Sequence, residues 1–353
     1  MPAPIVSPST APAATIPLNL NVGDKPGFHL NVRFGNQRGF RPLLFDTGSA
    51  GLWIYHNSIS ASDYTPTTLT VTESYGSGLT YDGILVYAKV DFGNGHTTAA
   101  SMPIGLVLTA SCQKKQPMCE ANPASGDCPG LPPGKDVGIR CVEAGRKLFG
   151  TAGSDLGYIY AKDASGNAKA EMFNALFGIQ TPPASSFAVT PAGVELNPSH
   201  AGFALARLAP APLPPKPLTN GAQAWVPDIQ TCFSVPASYT RCLPTLFDTG
   251  ATSIAFQTPT TQLPLTNYPC GKAVTTGTPV QIKFPDGRLL YDFTAGETTN
   301  SNKIRWENKA KNQINTGFTL YNYFDILFDA KVGRIGFKRL TAPAHNFQKG
   351  CNG

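Results

Sequence analysis

The sequence predicts an all-β protein built from two β-rich lobes with few short helices. Of its 353 residues, 35 are Gly and 32 are Pro, and only 14% are charged, which favours many short strands joined by turns. Alternating apolar and polar residues run through 16–22, 28–34 and 81–92, a pattern typical of half-buried strands. A short segment also occurs once in each half of the chain, which indicates two lobes of similar construction.

Changes in composition divide the chain into three parts. We predict an N-terminal lobe over 1–208, an interlobe connector over 209–220 and a C-terminal lobe over 221–353. The connector is rich in Pro and almost uncharged, so it is expected to be stiff and extended. Within the first lobe, residues 112–141 are rich in Cys, Pro and Gly and lack hydrophobic periodicity. We interpret that stretch as a disulfide-stapled surface insertion.

The eight cysteines indicate disulfides rather than a metal site. No Cys-x-x-Cys pair is present, and the five His residues lie far from the Cys cluster, so no metal and no cofactor are expected. The short spacing between Cys232 and Cys242 predicts that these two pair, while the other pairings stay open. Disulfides indicate an oxidising compartment, and we expect a secreted, extracellular or periplasmic protein.

Other sequence features exclude several function classes. The net charge is +6, but the basic residues are scattered, so no nucleic-acid partner is expected. No apolar run is long enough to span a membrane. Met1 followed by Pro, Ala, Ser and Thr residues is interpreted as the start of a mature protein without a signal peptide. No Asn-x-Ser/Thr sequon occurs, since Asn197-Pro-Ser is blocked by its Pro, which favours a bacterial source.

The repeated segment is the strongest functional signal. Leu-Phe precedes Asp46-Thr47-Gly48 in the first half and Asp248-Thr249-Gly250 in the second, and the two aspartates are 202 positions apart in the sequence. An apolar strand that runs into Asp-Thr-Gly ends in a turn, which leaves the carboxylate at the strand end. A lone copy is more often a turn cap. Two copies in matching contexts predict paired carboxylates, with each Thr hydroxyl bonded across to the other copy.

Further segments make the chain resemble the pepsin-like aspartic peptidases. The segments that carry this resemblance are Ser49-Ala-Gly-Leu-Trp53-Ile, Tyr75-Gly76-Ser77-Gly-Leu-Thr-Tyr-Asp-Gly-Ile-Leu85, Leu156-Gly-Tyr158, Glu171 to Leu176, Asn315-Thr-Gly-Phe318, Tyr323 to Asp329 and Val332 to Phe337. They extend from about residue 30 to 340. The resemblance implies a bilobal fold with an active-site cleft between the lobes.

The resemblance also assigns roles to particular residues. Asp46 and Asp248 would be the catalytic pair, and Thr47, Gly48, Ser49, Thr249, Gly250 and Ala251 would support the two catalytic loops. Tyr75, Gly76 and Ser77 would form a flap that contacts substrate, with Trp53 supporting Tyr75 or serving only as core. Leu156-Gly-Tyr158 would cross beneath the first catalytic loop, Asn315 to Phe318 beneath the second, and Glu171 to Leu176 would form a short helix.

Two departures from the family pattern lead to expectations. Ser49 would hydrogen-bond the outer oxygen of Asp46, but Ala251 cannot do so for Asp248, which predicts a less acidic pH optimum than a Ser or Thr would give. The loop before the flap is shorter than in animal pepsins. These features leave substrate preference and activation open.

The implied activity is hydrolysis of peptide bonds in extended polypeptides by a pepstatin-sensitive, monomeric aspartic endopeptidase. Two alternatives remain open at this point: a catalytically silent pepsin-like binding or inhibitor protein, and a processing protease of narrow specificity. No Gly-x-Ser-x-Gly elbow and no phosphate-binding Gly-rich loop is present, which argues against serine hydrolase and nucleotide-binding functions.

Overall fold

A computed structural model describes residues 14–22, 25–98, 101–112, 149–180, 183–212, 223–259, 263–268, 271–296 and 303–344. Most of the predicted Cys-rich insertion and of the Pro-rich connector lies outside these ranges, as do Cys119, Cys128, Cys141, Cys270 and Cys351. The lobe boundaries and the pairing of those cysteines stay predictions.

The first half of the chain forms a large mixed sheet of eleven strands among the described residues. Its members are β2 (Leu18–Val22), β3 (Lys25–Phe34), β4 (Arg41–Asp46), β5 (Leu52–Tyr55), β6 (Thr65–Ser74), β7 (Leu79–Ala88), β8 (Val90–Asp91), β9 (Met102–Cys112), β10 (Gly150–Gly153), β11 (Tyr158–Lys162) and β12 (Ala168–Phe173). The spatial order is β12-β11-β6-β7-β9-β5-β10-β4-β3-β2, with β8 beside β3.

The second half forms a sheet of nine strands in the described part of the chain, in the order β19-β20-β23-β18-β24-β17-β16-β21-β22. They are β16 (Ile229–Val235), β17 (Tyr239–Leu246), β18 (Ile254–Gln257), β19 (Leu265–Tyr268), β20 (Gly271–Val274), β21 (Pro279–Lys283), β22 (Leu289–Thr294), β23 (Ile304–Glu307) and β24 (Gln313–Asn315). A disulfide joins Cys232 and Cys242, which lie opposite each other on β16 and β17.

A third sheet is built from both halves of the chain. Its six strands are β1 (Thr15–Ile16), β13 (Ser186–Thr190), β14 (Gly193–Leu196), β15 (Ala204–Arg207), β25 (Phe324–Asp329) and β26 (Arg334–Arg339), in the order β1-β14-β13-β25-β26-β15. All of its pairs are antiparallel. Phe187 stacks on Phe328 with ring centroids 5.0 Å apart, so the aromatic core continues from one half into the other.

Helical structure is confined to short 3₁₀ turns in the described ranges, at His56–Ser58, Ala61–Asp63, Ala175–Gly178 and Gly317–Asn322. The predicted helix over Glu171 to Leu176 was placed too early. Residues to Phe173 belong to β12, because Phe173 pairs with Tyr158. The helical turn starts only after Asn174, whose side chain accepts a hydrogen bond from Leu176 N at 3.0 Å, as an N-cap does. No helix among the described residues is long and apolar enough to cross a membrane.

The internal repeat is also a repeat of topology. In the first sheet, β10 lies between β4 and β5, parallel to β4 and antiparallel to β5. In the second, β24 lies between β17 and β18 with the same two orientations. The crossing that the sequence predicts at Asn315 is therefore found in the structure, where Asn315 is the last residue of β24. The expected crossing at Leu156-Gly-Tyr158 was wrong: Gly153 of β10 pairs with Asp46, and Ser154 N donates to Asp46 O at 2.7 Å.

Candidate active site

The two repeated aspartates lie at equivalent places in the two halves. Asp46 is the last residue of β4, and Asp248 follows β17 by two positions. Their residues are only 5% and 9% exposed. Each carboxylate is held from within its own loop, because Gly48 N donates to Asp46 Oδ1 at 2.8 Å and Gly250 N donates to Asp248 Oδ1 at 2.7 Å.

The threonines of the two triplets bond across to the opposite loop. Thr47 N donates to Thr249 Oγ1 and Thr249 N donates to Thr47 Oγ1, both at 3.0 Å. Each hydroxyl in turn donates to a carbonyl of the other loop, Thr47 to Phe247 O at 2.7 Å and Thr249 to Phe45 O at 2.6 Å. Both threonines are buried, so this symmetric set of four hydrogen bonds fixes the two loops against each other.

The glycines of the triplets let the two carboxyl groups approach. A Cβ on Gly48 would lie 2.4 Å from Asp248 Cγ, and a Cβ on Gly250 would lie 2.5 Å from Asp46 Cγ. Each carboxylate therefore packs directly against the opposite triplet. Burial, the negative charge of Asp248 and a hydrogen bond with its carboxyl group raise the pKa of Asp46 well above its usual range. Such a pair shares a proton because two adjacent carboxylates do not both ionise readily.

The outer carboxylate oxygens have different partners in the two halves. Ser49 Oγ donates to Asp46 Oδ2 at 2.7 Å. Asp248 Oδ2 instead accepts from the side-chain amide of Asn315 at 2.5 Å, and Asn315 Oδ1 accepts from Gly317 N at 2.8 Å. The expectation based on Ala251 assumed that Asp248 lacks an outer donor, yet Asn315 supplies one from β24. Sequence reasoning missed this role, although Asn315 had been placed at the crossing.

The predicted flap is the hairpin of β6 and β7. Tyr75 N donates to Leu79 O at 2.8 Å and Gly78 N donates to Tyr75 O at 2.9 Å, which closes the tip. Gly76 and Ser77 are exposed there. The Tyr75 hydroxyl is buried, and burial together with the charges of Glu73 and Asp46 raises the pKa of Tyr75 well above its usual range. The Tyr75 side chain therefore lies within electrostatic reach of the first carboxylate.

Trp53 packs next to Tyr81, and Tyr81 in turn packs against Tyr75 of the flap. Trp53 is fully buried, and its ring centroid lies 5.9 Å from that of Tyr81, whose ring packs edge-on against Tyr75 at 5.1 Å. Its indole N–H has no hydrogen-bond partner among the described residues. Support of the flap and simple core packing therefore share one geometry, because Trp53 packs in the core under the hairpin and contacts Tyr81.

Further buried acids lie near the pair. Asp155 accepts from Gly157 N at 2.8 Å, and burial, with the charges of Asp228 and Asp248, raises the pKa of Asp155 to about 7. Burial and the charge of Asp155 raise the pKa of Glu73 to about 7. Burial also raises the pKa of Asp228, which accepts the Gln313 amide at 3.1 Å. These acids carried no sequence signal, because they come from separate segments.

Tyr321 completes the support beneath the two loops. It is buried, and its hydroxyl lies 2.8 Å from Thr47 Oγ1 and donates to Phe247 O at 2.9 Å. Burial and the charges of the two aspartates raise the pKa of Tyr321 well above its usual range, against the lowering effect of Thr47. Its hydroxyl therefore stays neutral. No group of His, Cys, Asp and Glu in the described ranges is arranged to hold a metal ion.

The arrangement agrees with comparisons to known proteins. Residues 14–137 match the model of the family described as the PE-PGRS C-terminal aspartyl peptidase-like domain. The fold is similar to that of the crystal structure of an aspartic proteinase from Irpex lacteus, with a TM-score of 0.60 and 14% identity over 94% of this chain and 98% of that one. Curated protein sequences gave no match. The chain has the bilobal pepsin-like fold.

Proposed function

We propose that this protein is an aspartic endopeptidase that hydrolyses peptide bonds in extended polypeptides. The observation that carries the proposal is the buried pair of Asp46 and Asp248, held in two matching loops and each packed against the opposite Asp-Thr-Gly. Two carboxyl groups that share one proton can act as general base and general acid in one reaction.

The chemistry needs one water molecule between the two carboxyl groups. The ionised carboxylate takes a proton from this water as its oxygen attacks the carbonyl carbon of the scissile bond, and the protonated carboxyl donates its proton to the carbonyl oxygen. The tetrahedral intermediate then breaks its C–N bond while a proton passes to the leaving nitrogen. The products are a carboxylic acid and an amine, and both aspartates return to their starting states.

The hairpin of β6 and β7 is the element that would cover a bound peptide. Its exposed tip residues, Gly76 and Ser77, offer backbone groups to an extended chain, which would bind as an added strand. Closure of such a hairpin excludes water from the reacting atoms. The disulfide between Cys232 and Cys242 supports folding in an oxidising compartment, so we propose that the protein acts as a secreted monomer.

The test is cleavage of denatured globin from pH 3 to pH 7, with and without pepstatin. Wild-type protein should cut the substrate, and Asp46→Asn and Asp248→Asn should each lower kcat/KM by about 10³-fold or more. Asp286→Asn is the matched control, because Asp286 is exposed and bonds only locally with Arg288. Equal activity in all four proteins would contradict the proposal.

The same experiment separates the alternatives. No cleavage at any pH, together with pepstatin binding measured by calorimetry, would indicate a processing enzyme of narrow specificity. Neither cleavage nor binding would indicate a protein that uses the fold only as a scaffold.

A further inference from the structure

A polar cavity of about 570 Å³ lies in the first half of the chain, away from the two aspartates. One wall is the turn between β3 and β4, and the other is formed by the 3₁₀ turns at His56–Ser58 and Ala61–Asp63. Arg41, which lines the cavity, begins β4, and Asp46 ends it. The cavity and the first aspartate are therefore separated by the length of this strand, about 17 Å.

Two hydrogen bonds hold the walls of the cavity together. Asn36 N donates to Asp63 Oδ1 at 3.0 Å, and Gln37 Nε2 donates to Ser58 O at 3.0 Å. Because a backbone carbonyl only accepts, the amide nitrogen of Gln37 must face Ser58 O, and Gln37 Oε1 is left at the other end of the amide. The shape of the cavity is therefore set by the protein itself.

Three buried polar atoms of residues that line this cavity have no hydrogen-bond partner in the described part of the chain. They are Gln37 Oε1, Arg41 Nε and Ser58 Oγ, and Ser58 is only 5% exposed. The guanidinium of Arg41 lies over the Phe149 ring, 5.2 Å from its centroid, a contact that leaves its N–H groups unused. Buried polar groups are normally paired, because an unpaired one loses its hydrogen bonds to water without replacement. These three atoms are therefore available to a ligand.

The charges around the cavity indicate what kind of ligand fits. Arg38 and Arg41 contribute two positive charges, and Asp63 contributes one negative charge. Guanidinium groups favour carboxylates and phosphates, and the Ser58 hydroxyl can donate to the same anion. Gln37 Oε1 can only accept, so a simple anion would leave it unpaired. A ligand that satisfies all of these groups carries an oxyanion and at least one hydroxyl group.

We propose that this cavity binds a small hydroxylated anion, such as a sugar acid or a sugar phosphate. Arg38, Arg41 and Ser58 hold its carboxylate or phosphate group, and Gln37 Oε1 accepts from one of its hydroxyls. A volume of about 570 Å³ lies within the range of small-molecule sites, roughly 300–1,000 Å³. The site does not depend on the proposed function, because none of its residues belongs to the Asp-Thr-Gly loops or to the flap.

The test is isothermal titration calorimetry of the intact chain at pH 7 and low salt. Glucuronate and glucose 6-phosphate are the hydroxylated anions, glucose is the neutral probe, and acetate carries a carboxylate without a hydroxyl. We expect one equivalent of glucuronate or of glucose 6-phosphate to bind at least about 10-fold more tightly than glucose or acetate. Tighter binding of either anion supports the proposal and identifies the anionic group. No binding of either anion, or equal binding of glucose or acetate, would overturn it.

Variants locate the bound anion. Arg38→Gln and Ser58→Ala should each weaken binding by about 10-fold or more, because each removes a donor to the anion. Arg288→Gln is the matched control, since Arg288 is exposed and pairs with Asp286 outside the cavity. Asp46→Asn should bind the anion as the wild type does. Unchanged binding in both cavity variants, or loss of binding in Asp46→Asn, would overturn the proposal.

Urea unfolding without ligand separates a binding role of Ser58 from a structural one. Because Ser58 Oγ has no partner to lose, Ser58→Ala should be at least as stable as the wild type while it binds the anion more weakly. A marked loss of stability in Ser58→Ala would show that this hydroxyl is bonded within the protein, and it would overturn the assignment of Ser58 to the site.

Discussion

The two Asp-Thr-Gly loops share a backbone plan but differ in what surrounds the carboxylate. In both loops the third residue after Asp accepts a hydrogen bond at its carbonyl from the crossing segment: Asp155 N donates to Ser49 O, and Phe318 N donates to Ala251 O, both at 2.9 Å. Both residues of this contact are polar at the first loop, Ser49 and Asp155, and both are apolar at the second, Ala251 and Phe318.

The backbone symmetry and the side-chain chemistry of the two loops are therefore set separately. The Asp-Thr-Gly triplets and the cross-bonded threonines place two carboxyl groups together symmetrically. The outer donors then come from different elements, from Ser49 within the loop and from Asn315 on the neighbouring strand β24. A symmetric scaffold can therefore hold two carboxyl groups whose outer oxygens accept from different kinds of donor.

The largest expected effects come from breaking the part that the loops share. Gly48→Ala and Gly250→Ala each introduce a Cβ within about 2.5 Å of the opposite carboxylate, closer than any real Cβ contact. We expect each variant to lower kcat/KM on globin by about 100-fold or more, because the carboxyl groups must separate. Gly39→Ala is the control, since its Cβ would meet only Arg41 Nη1 at 3.7 Å. Activity near wild type in both catalytic-loop variants would mean that the carboxyl groups are not in contact.

The second prediction concerns Asp155, which lies in the crossing segment beside the first loop, where Phe318 occupies the equivalent place beside the second. Its pKa is about 7 in the folded protein and near 3.9 in an unfolded chain, so the folded state binds more protons between these values. Stability is therefore lost as pH rises from about 4 to 7, by up to about 4 kcal/mol from this group.

Urea unfolding at a series of pH values checks this effect. Asp155→Asn keeps an oxygen that can accept from Gly157 N, and it should reduce the fall in the free energy of unfolding as pH rises. The control variant Asp286→Asn, at an exposed position, should leave that fall unchanged. A wild-type protein that becomes more stable between pH 4 and pH 7 would contradict the prediction.

The third prediction compares the two threonines. Thr47→Val and Thr249→Val each remove two buried inter-loop hydrogen bonds and leave a buried N–H without its acceptor. Each should lower the free energy of unfolding by about 3 kcal/mol. Thr47→Val should cost up to about 1 kcal/mol more, since Thr47 also contacts the Tyr321 hydroxyl. Urea unfolding measures the change in the free energy of unfolding of both variants. Changes below about 1 kcal/mol would show that these hydrogen bonds contribute little to stability.

Much of this comparison could be predicted from the sequence because it depends on local signals. An Asp-Thr-Gly segment after an apolar strand predicts a turn with the carboxylate at the strand end. The repetition of this segment predicted the all-β bilobal fold and the pairing of Asp46 with Asp248. The close spacing of Cys232 and Cys242 likewise predicted the disulfide that the structure contains.

Other features could not be predicted because they depend on which strands become neighbours. Asn315 contacts Asp248 only because β24 lies beside β17. The crossing in the first half was misplaced because Leu156-Gly-Tyr158 offers an apolar-Gly pattern, whereas the strand that lies parallel to β4 is Gly150–Gly153. Similarly, Tyr81 lies between Trp53 and Tyr75 because β7 returns antiparallel to β6, a contact that spacing alone does not indicate.

The smallest expected effect is that of Ala251→Thr. A new hydroxyl at this position would correspond to Ser49, but Asp248 Oδ2 already accepts from Asn315 at 2.5 Å. The acid limb of the pH–rate profile should therefore move by less than about half a unit. In an Asn315→Ala background the same hydroxyl should restore most of the kcat/KM that Asn315→Ala loses, because it supplies a donor to Asp248 Oδ2 where the Asn315 amide has been removed. If Ala251→Thr alone moved the acid limb by a full unit, the Asn315 amide would not satisfy Asp248 Oδ2 in solution. The difference between the two halves would then come from residues 49 and 251 of the loops, and not from Asn315 on the neighbouring strand.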